Sequence, residues 1–474
     1  MTHYLSQLQK FIWDHYNLAE LEQLCFELSV NYDDIRGDGL QDKARELVRW
    51  LARRSRLGSL LEQLQENRPL PFQEARLSTV VSDVVFQAYE EEAGALRSHI
   101  RIHDFKNLVD ERTRYFVGRE FVFNAIDDLL AKPHFSSGYI VIQGEPGIGK
   151  TAVASQLIKQ RGYVHHFNIA GQYIRTVRDF LTNICAQLIV QYELPHLRLS
   201  DEATNNSGFL SRLLGEAAAK VEGQPVIILI DALDEAENMG LPPEANCLFL
   251  PQVLPPNVYF IVTTRVQADY RLFVDRREDI YIRDDDPHNQ DDVRRYIQNF
   301  LRLYADEMAT RLVTWNVTEE IFIQVLTDKS QGNFMYLVHV LHDIRDGKLT
   351  AVNIDNIHDL PQGLRAYYQR HWRIMKTADR VRFETYYEPV VCQLATVREP
   401  VSIRDLTTWT ELPPSEIKEV IKEWRAFLNE GKNEQGETLY RIYHASFQDF
   451  LKEEVNLSKY HDVIAQTALN KIAW

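Results

Sequence analysis

The sequence predicts a multidomain α/β protein, helical at its start, built on a parallel sheet in its middle, and helical again with a small hairpin near its end. Three observations predict it. At 474 residues the chain exceeds what a single core serves, so about three domains are expected. Short apolar runs alternate with helical segments through the middle, the pattern of a parallel sheet covered on both faces. On either side apolar residues recur at i, i+3, i+4 and i+7, the helical period.

The expected divisions are 1–71 for an all-α unit, 72–113 for a connector, 114–286 for the sheet domain, 287–366 for a helical domain, 367–456 for a winged helix and 457–474 for a tail. In the first unit, Leu18, Leu21, Cys25 and Leu28 share one helical face. Ala44, Leu47, Val48 and Leu51 share a second, and Leu57, Leu60, Leu61 and Leu64 a third. "NRPLP" ends the unit, because proline removes a donor and biases the residue before it away from helix. The connector keeps the helical pattern with fewer large hydrophobes. Four strands are expected next, at "GYIVIQ", "YVHHFNI", "PVIILID" and "VYFIVTT". After Asp286 the helical period returns. From about Phe383, two helices, a glycine-bearing hairpin "LNEGKNEQGETLYRIYH" and a last helix give the outline of a winged helix.

Composition bounds the function. With 45% apolar and 26% charged residues the chain has the make-up of an ordinary globular protein. A net charge of −15 argues against duplex nucleic acid as a partner and leaves room for a small phosphorylated ligand in one local pocket. Cys25, Cys185, Cys247 and Cys392 have no ligand-like spacing and are expected as reduced thiols. The start lacks a basic stretch followed by an apolar core, and no apolar run nears the ~18 residues of a membrane span. A cytoplasmic protein without a membrane partner is expected.

Gly144-Glu145-Pro146-Gly147-Ile148-Gly149-Lys150-Thr151 fits the phosphate-binding loop G-x-x-x-x-G-K-[ST], with a strand before it and a helix after it. Glycines let the backbone turn successive N–H groups inward onto phosphate oxygens, and the following helix adds its positive end. Lys150 would meet the β and γ phosphates, Ala152 continues the cradle, and Thr151 offers a hydroxyl to Mg²⁺. "VIILIDALDEAE" ends an apolar run in Asp231, placed to hold the magnesium shell. Glu235 is favoured as the residue that orients the attacking water, with Asp234 left open. Arg265, after the strand "VYFIVTTR", could sense the γ-phosphate.

Together these residues resemble the signal-transduction ATPases with numerous domains (STAND), the class of the NACHT and NOD-like receptor ATPases, over about Tyr115 to Glu454. In "YFVGRE" the resemblance implies that Val117, Gly118 and Arg119 line the adenine pocket. "SQGNFMYLVHVL" is similar to the segment packing under the base, although Phe334 stands where many members have a proline. In "YHASFQDFL" it implies that His444 reaches the β-phosphate of ADP and latches the closed molecule. The first unit is similar to the bacterial effector-associated domain, a death-like adaptor that binds a like module on a separate effector protein.

The resemblance implies a switch that is closed on ADP, opens and self-associates on ATP, and resets by slow hydrolysis, in prokaryotic antiviral defence or programmed cell death. It also implies a sensor after the winged helix, for which 457–474 leave no room, so that either the sequence is cut short there or a partner does the sensing, and the trigger stays open. Two rival classes are a mechanical remodelling ATPase and a DNA-binding regulator; a third is a degraded ATPase acting as a scaffold. Between Arg398 and Arg441 stand seven Lys/Arg against nine Asp/Glu, which gives the winged helix no basic face by composition.

Overall fold

The computed structural model describes residues 2–472 except 54–55, 76–80, 170–173, 200, 205, 222, 238–240, 267, 269, 350–355, 398, 433–435 and 443–444. The amino-terminal unit is helical, over Thr2–His15, Leu18–Glu27, Leu40–Arg53 and Leu57–Asn67. Asn17 starts the second helix with a capping box: its side chain accepts from the Glu20 N–H at 3.0 Å, and the Glu20 carboxylate accepts from the Asn17 N–H at 2.9 Å. The expected core positions are buried with one exception. Leu18, in the first turn of its helix, is 44% exposed, and Leu24 is buried instead. Pro69 does not simply end the unit; it opens a short helix, Pro69–Glu74, from the position where its missing N–H costs nothing.

The connector is more than a tether. Its helices Val81–Glu92 and Ile102–Thr113 pack over the sheet domain, and Phe86, Tyr89 and Phe105 are buried there. Tyr89 Oη donates to the amide oxygens of Gln187 and Gln191. One continuous cluster of buried residues therefore runs from Leu8 to Ile282, and a second from Val293 to Tyr460.

The sheet has five parallel strands where four were expected. They are β1 (Gly138–Gly144), β2 (Val164–Phe167), β3 (Val226–Asp231), β4 (Val258–Arg265) and β5 (Arg277–Ile282), in the order β2-β3-β4-β1-β5. The added strand, β5, lies at the edge, and within it Ile282 is the buried residue, so its apolar signal is weak. Because all strands run one way, Gly144, Asp231 and Arg265 end at the same rim, where α/β sheets bind ligands. Strand β4 lies between β1 and β3 and pairs Ile142 with Thr263 and Gly144 with Arg265.

Helices Pro287–Leu303, Ala305–Trp315, Glu319–Ser330, Phe334–Arg345, Gly363–Ala378 and Glu388–Thr396 follow. The C-terminal module then sets β6 (Val401–Ser402), helices Ile403–Thr410 and Pro414–Glu423, and the hairpin β7 (Leu428–Lys432) and β8 (Thr438–Ile442) into a sheet of order β6-β8-β7. In the next helix, Ala445–Glu454, Phe447, Phe450 and Leu451 are buried. The tail is itself a helix, Ser458–Ile472, tied to Glu388 by the Tyr460 hydroxyl and the Lys459 ammonium, each at 3.0 Å.

Candidate active site

The glycine-rich turn joins the C-terminal end of β1 to helix Lys150–Arg161. Gly147 and Gly149 have φ values of 85° and 102°, a region in which a side chain is strained. Lys150 Nζ donates to the carbonyls of Gly144 and Glu145 at 2.7 and 3.1 Å, so the charge lies along the mouth of its own loop. Burial draws the Lys150 ammonium below its usual range, against the upward pull of Asp234 and Asp231. Within the motif, Pro146, Gly147, Gly149, Lys150, Thr151 and Ala152 border the cavity described below. Gly144 lies within β1, Ile148 is buried, and Glu145 is exposed to solvent.

Asp231, at the end of β3, is buried, and burial raises its pKa, opposed by hydrogen bonds from Thr263 and Thr151. Thr263 Oγ1 donates to Asp231 Oδ1 at 2.5 Å and accepts from the Ala232 N–H at 2.9 Å. A buried carboxylate beside the Thr151 hydroxyl is a hard oxygen donor set, and it fits a magnesium ion. Sequence reasoning placed Thr263 at the strand end without this orienting role.

Asp234 and Glu235 follow Ala232, whose φ is 56°. Their surroundings separate them. Asp234 accepts from Arg265 Nε at 2.5 Å and from the Arg265 backbone N–H at 3.3 Å. Glu235 is pushed up to about 7, chiefly by burial and then by the Asp234 charge, with Arg441 pulling the other way. Arg265 was expected to face a γ-phosphate. In this structure its guanidinium spans Asp234 and, at 3.3 Å from Nη1, Asp449 of helix Ala445–Glu454.

Arg119 departs further from expectation. It borders the cavity, but the residue is 2% exposed and both terminal nitrogens donate to protein groups. Nη2 donates to the Ile148 carbonyl and Nη1 to Asn289 Oδ1 at 2.6 Å, while its backbone N–H meets Asp292 Oδ2 at 2.9 Å. The guanidinium lies 4.8 Å from the Phe334 ring, a cation–π contact. Arg119 thus braces the phosphate loop against helix Pro287–Leu303. Gly118 (φ 71°) is needed for that approach, since a Cβ there would meet Asp292 Oδ1 at 1.8 Å.

The cavity holds about 820 Å³ and is walled by the sheet domain, the helical region and the C-terminal module. The sheet domain contributes the phosphate loop, Val117 and the acidic turn; the helical region contributes Tyr296, Phe334, Val338 and His342; the C-terminal module contributes Val397, Arg441, Ile442 and Gln448. Among the described residues its lining carries eight Lys/Arg against five Asp/Glu in a chain of net charge −15. That local excess of cations suits a polyanion. His444 lies outside the described residues, although Ile442 before it and Gln448 after it both border the cavity.

The family profile for effector-associated domain 7 matches residues 8–69, and that for the AAA ATPase domain matches residues 115–257. No curated protein matches the chain. One similar solved structure is a signal transduction ATPase with numerous domains (STAND) protein with a tetratricopeptide repeat sensor from Pyrococcus horikoshii. It is 14% identical, and the match covers 74% of this chain and 45% of that chain, with a TM-score of 0.37. Another is the Drosophila ORC bound to DNA, 15% identical over 73% of this chain and 98% of that chain, with a TM-score of 0.30. The chain spans less than half the length of the Pyrococcus protein. The two matches place a segment similar to an effector-associated domain ahead of a segment similar to an AAA ATPase domain.

Proposed function

We propose that this chain, an effector-associated domain joined to a P-loop ATPase domain, is a nucleotide-operated signalling switch. ADP holds it closed, ATP opens it for self-association, and the gathered amino-terminal domains recruit a separate effector protein by like-with-like contact. One observation carries the reading. Arg265, at the rim beside the phosphate loop, joins Asp234 of the acidic turn to Asp449 of the C-terminal module. A group able to answer a γ-phosphate is thereby engaged by the part that has to move.

The residues divide the work as follows. Lys150 exchanges its two loop carbonyls for phosphate oxygens, while the N–H groups from Gly147 to Thr151 cradle them, that of Ile148 leaving the Glu145 carbonyl it meets at 3.3 Å. Thr151 and Asp231 would hold Mg²⁺, which when bound neutralises charge on the phosphates. Glu235 orients and deprotonates the attacking water: its pKa of about 7 suits a base at neutral pH, whereas Asp234 is engaged by Arg265. Phe334, Val338 and Tyr296 give the base an apolar bed. His444 donates to the β-phosphate in the closed form, charge-assisted when protonated. The setting we favour is prokaryotic antiviral defence or programmed cell death, in the cytoplasm.

Denaturing the purified protein and identifying what it releases tests the proposal. About one ADP per chain is expected; a folded protein with no bound nucleotide and no affinity for ADP or ATP contradicts it. His444→Ala should assemble at lower ATP than wild type, read by light scattering, and an unchanged threshold would remove the latch.

A further inference from the structure

A loop that cradles phosphates turns its N–H groups inward, so its carbonyls face outward, and those shielded from water need a donor. From Gly144 to Gly149 every carbonyl has one. Lys150 Nζ meets the first two, the Arg119 guanidinium meets Ile148, and the Val153 N–H meets Gly149 at 3.0 Å. The two at the apex are met from outside the sheet domain. Asn333 Nδ2 donates to the Pro146 carbonyl at 2.9 Å, and the Met335 N–H to that of Gly147 at 3.1 Å. The approach is close: a Cβ on Gly147 would meet Asn333 Oδ1 at 2.6 Å and Met335 Cβ at 2.9 Å.

We infer that Asn333 is a positioning residue of the phosphate loop, which fixes the apex of the cradle and ties nucleotide affinity to docking of the helical region. This rests on the nucleotide reading of the cavity. Asparagine suits the place because it has two arms. Its Oδ1 caps helix Phe334–Arg345 by accepting from the Tyr336 N–H at 3.1 Å, while Nδ2 spans to the loop. Serine or threonine caps a helix as well, but neither has a second arm that reaches Pro146. Gly332 holds the segment in place: at φ 72°, a Cβ there would meet the Asp284 carbonyl at 2.3 Å. Once this first turn lifts, both apex carbonyls lose their donors, the inward N–H groups lose their fixed direction, and nucleotide leaves.

The test separates capping from positioning. Asn333→Ser keeps the cap and removes the bond to Pro146. Release of a fluorescent ADP analogue, followed by stopped flow, should be about fivefold to tenfold faster than in wild type. KM for ATP should rise by a similar factor, with kcat within about twofold. If Asn333→Ser does not fold, Asn333→Thr, also a capping residue, is measured in the same way. Wild-type release rates in a folded variant would mean that Asn333 only caps, and would overturn the inference while leaving the nucleotide reading intact. A wild-type protein that binds neither ADP nor ATP overturns both.

Discussion

Between the sheet domain and the helical region run hydrogen bonds that are buried from Arg119 to Asn289 and Asp292 and half-buried from Asn333 to Pro146, together with the bond from Met335 to Gly147 and an exposed Arg295–Glu120 pair. Between the sheet domain and the C-terminal module run ion pairs open to water. Arg265 and Asp449 are 31% and 44% exposed at 3.3 Å, and Arg175 and Glu399 are 15% and 55% exposed at 3.9 Å. Both seams border one cavity, yet they resist parting differently. Stripping a partner from a buried, desolvated group costs about 1–3 kcal/mol, more where it is charged. An exposed pair is worth about 0–1 kcal/mol and weakens with salt. The first seam therefore resists parting more than the second, as the proposed switch, which swings its C-terminal module, requires.

The comparison breaks most readily at Gly118. Gly118→Ala drives a methyl into the Asp292 carboxylate at a positive φ, and should destabilise the protein by about 3 kcal/mol, read as a lower denaturant midpoint. Little loss there would mean that the first seam is softer than its bonds imply. Glu235→Gln comes next, and should slow ATP hydrolysis by about a hundredfold or more while nucleotide binding persists. The same carboxyl sets a pH dependence. Since its pKa is pushed up to about 7, the carboxylate proposed as base is scarce below that value, so hydrolysis should rise as pH increases from 6 to 8. A flat profile through that range would remove Glu235 from the role.

Smaller effects sharpen the second seam. Asp449→Asn removes one charge from Arg265, and should change stability by less than about 1 kcal/mol while ATP-driven assembly begins at lower ATP. Unchanged assembly would reduce the contact to surface decoration. Raising the salt to about 0.5 M should mimic that variant in wild type, with little effect on the nucleotide-free melting temperature.

How far the sequence announced all this follows from how local each signal is. The phosphate loop and the acid-ended strand were legible because eight consecutive residues, or one apolar run closed by Asp231, contain the whole pattern. Strand β5 was not, since Arg277, Glu278 and Asp279 occupy half of it at the sheet edge. Asn333, Asn289 and Asp292 were missed because their partners lie far away in the chain, Pro146 being 187 positions from Asn333. Asp449 was hidden on a helix whose pattern is dominated by the buried Phe447, Phe450 and Leu451. Arg119 was found for its motif, but its brace against Asn289 and Asp292 depends on a helix that begins at Pro287.

The direct test of two unequal seams is a pair of distances. The four native cysteines are buried, so spin labels at Asp128→Cys with Thr314→Cys, and at Asp128→Cys with Lys418→Cys, report each seam separately from exposed positions. On exchanging ADP for a non-hydrolysable ATP analogue, the distance to residue 418 should lengthen and broaden while that to residue 314 stays fixed. An unmoved residue 418, or equal movement of both, would contradict the account.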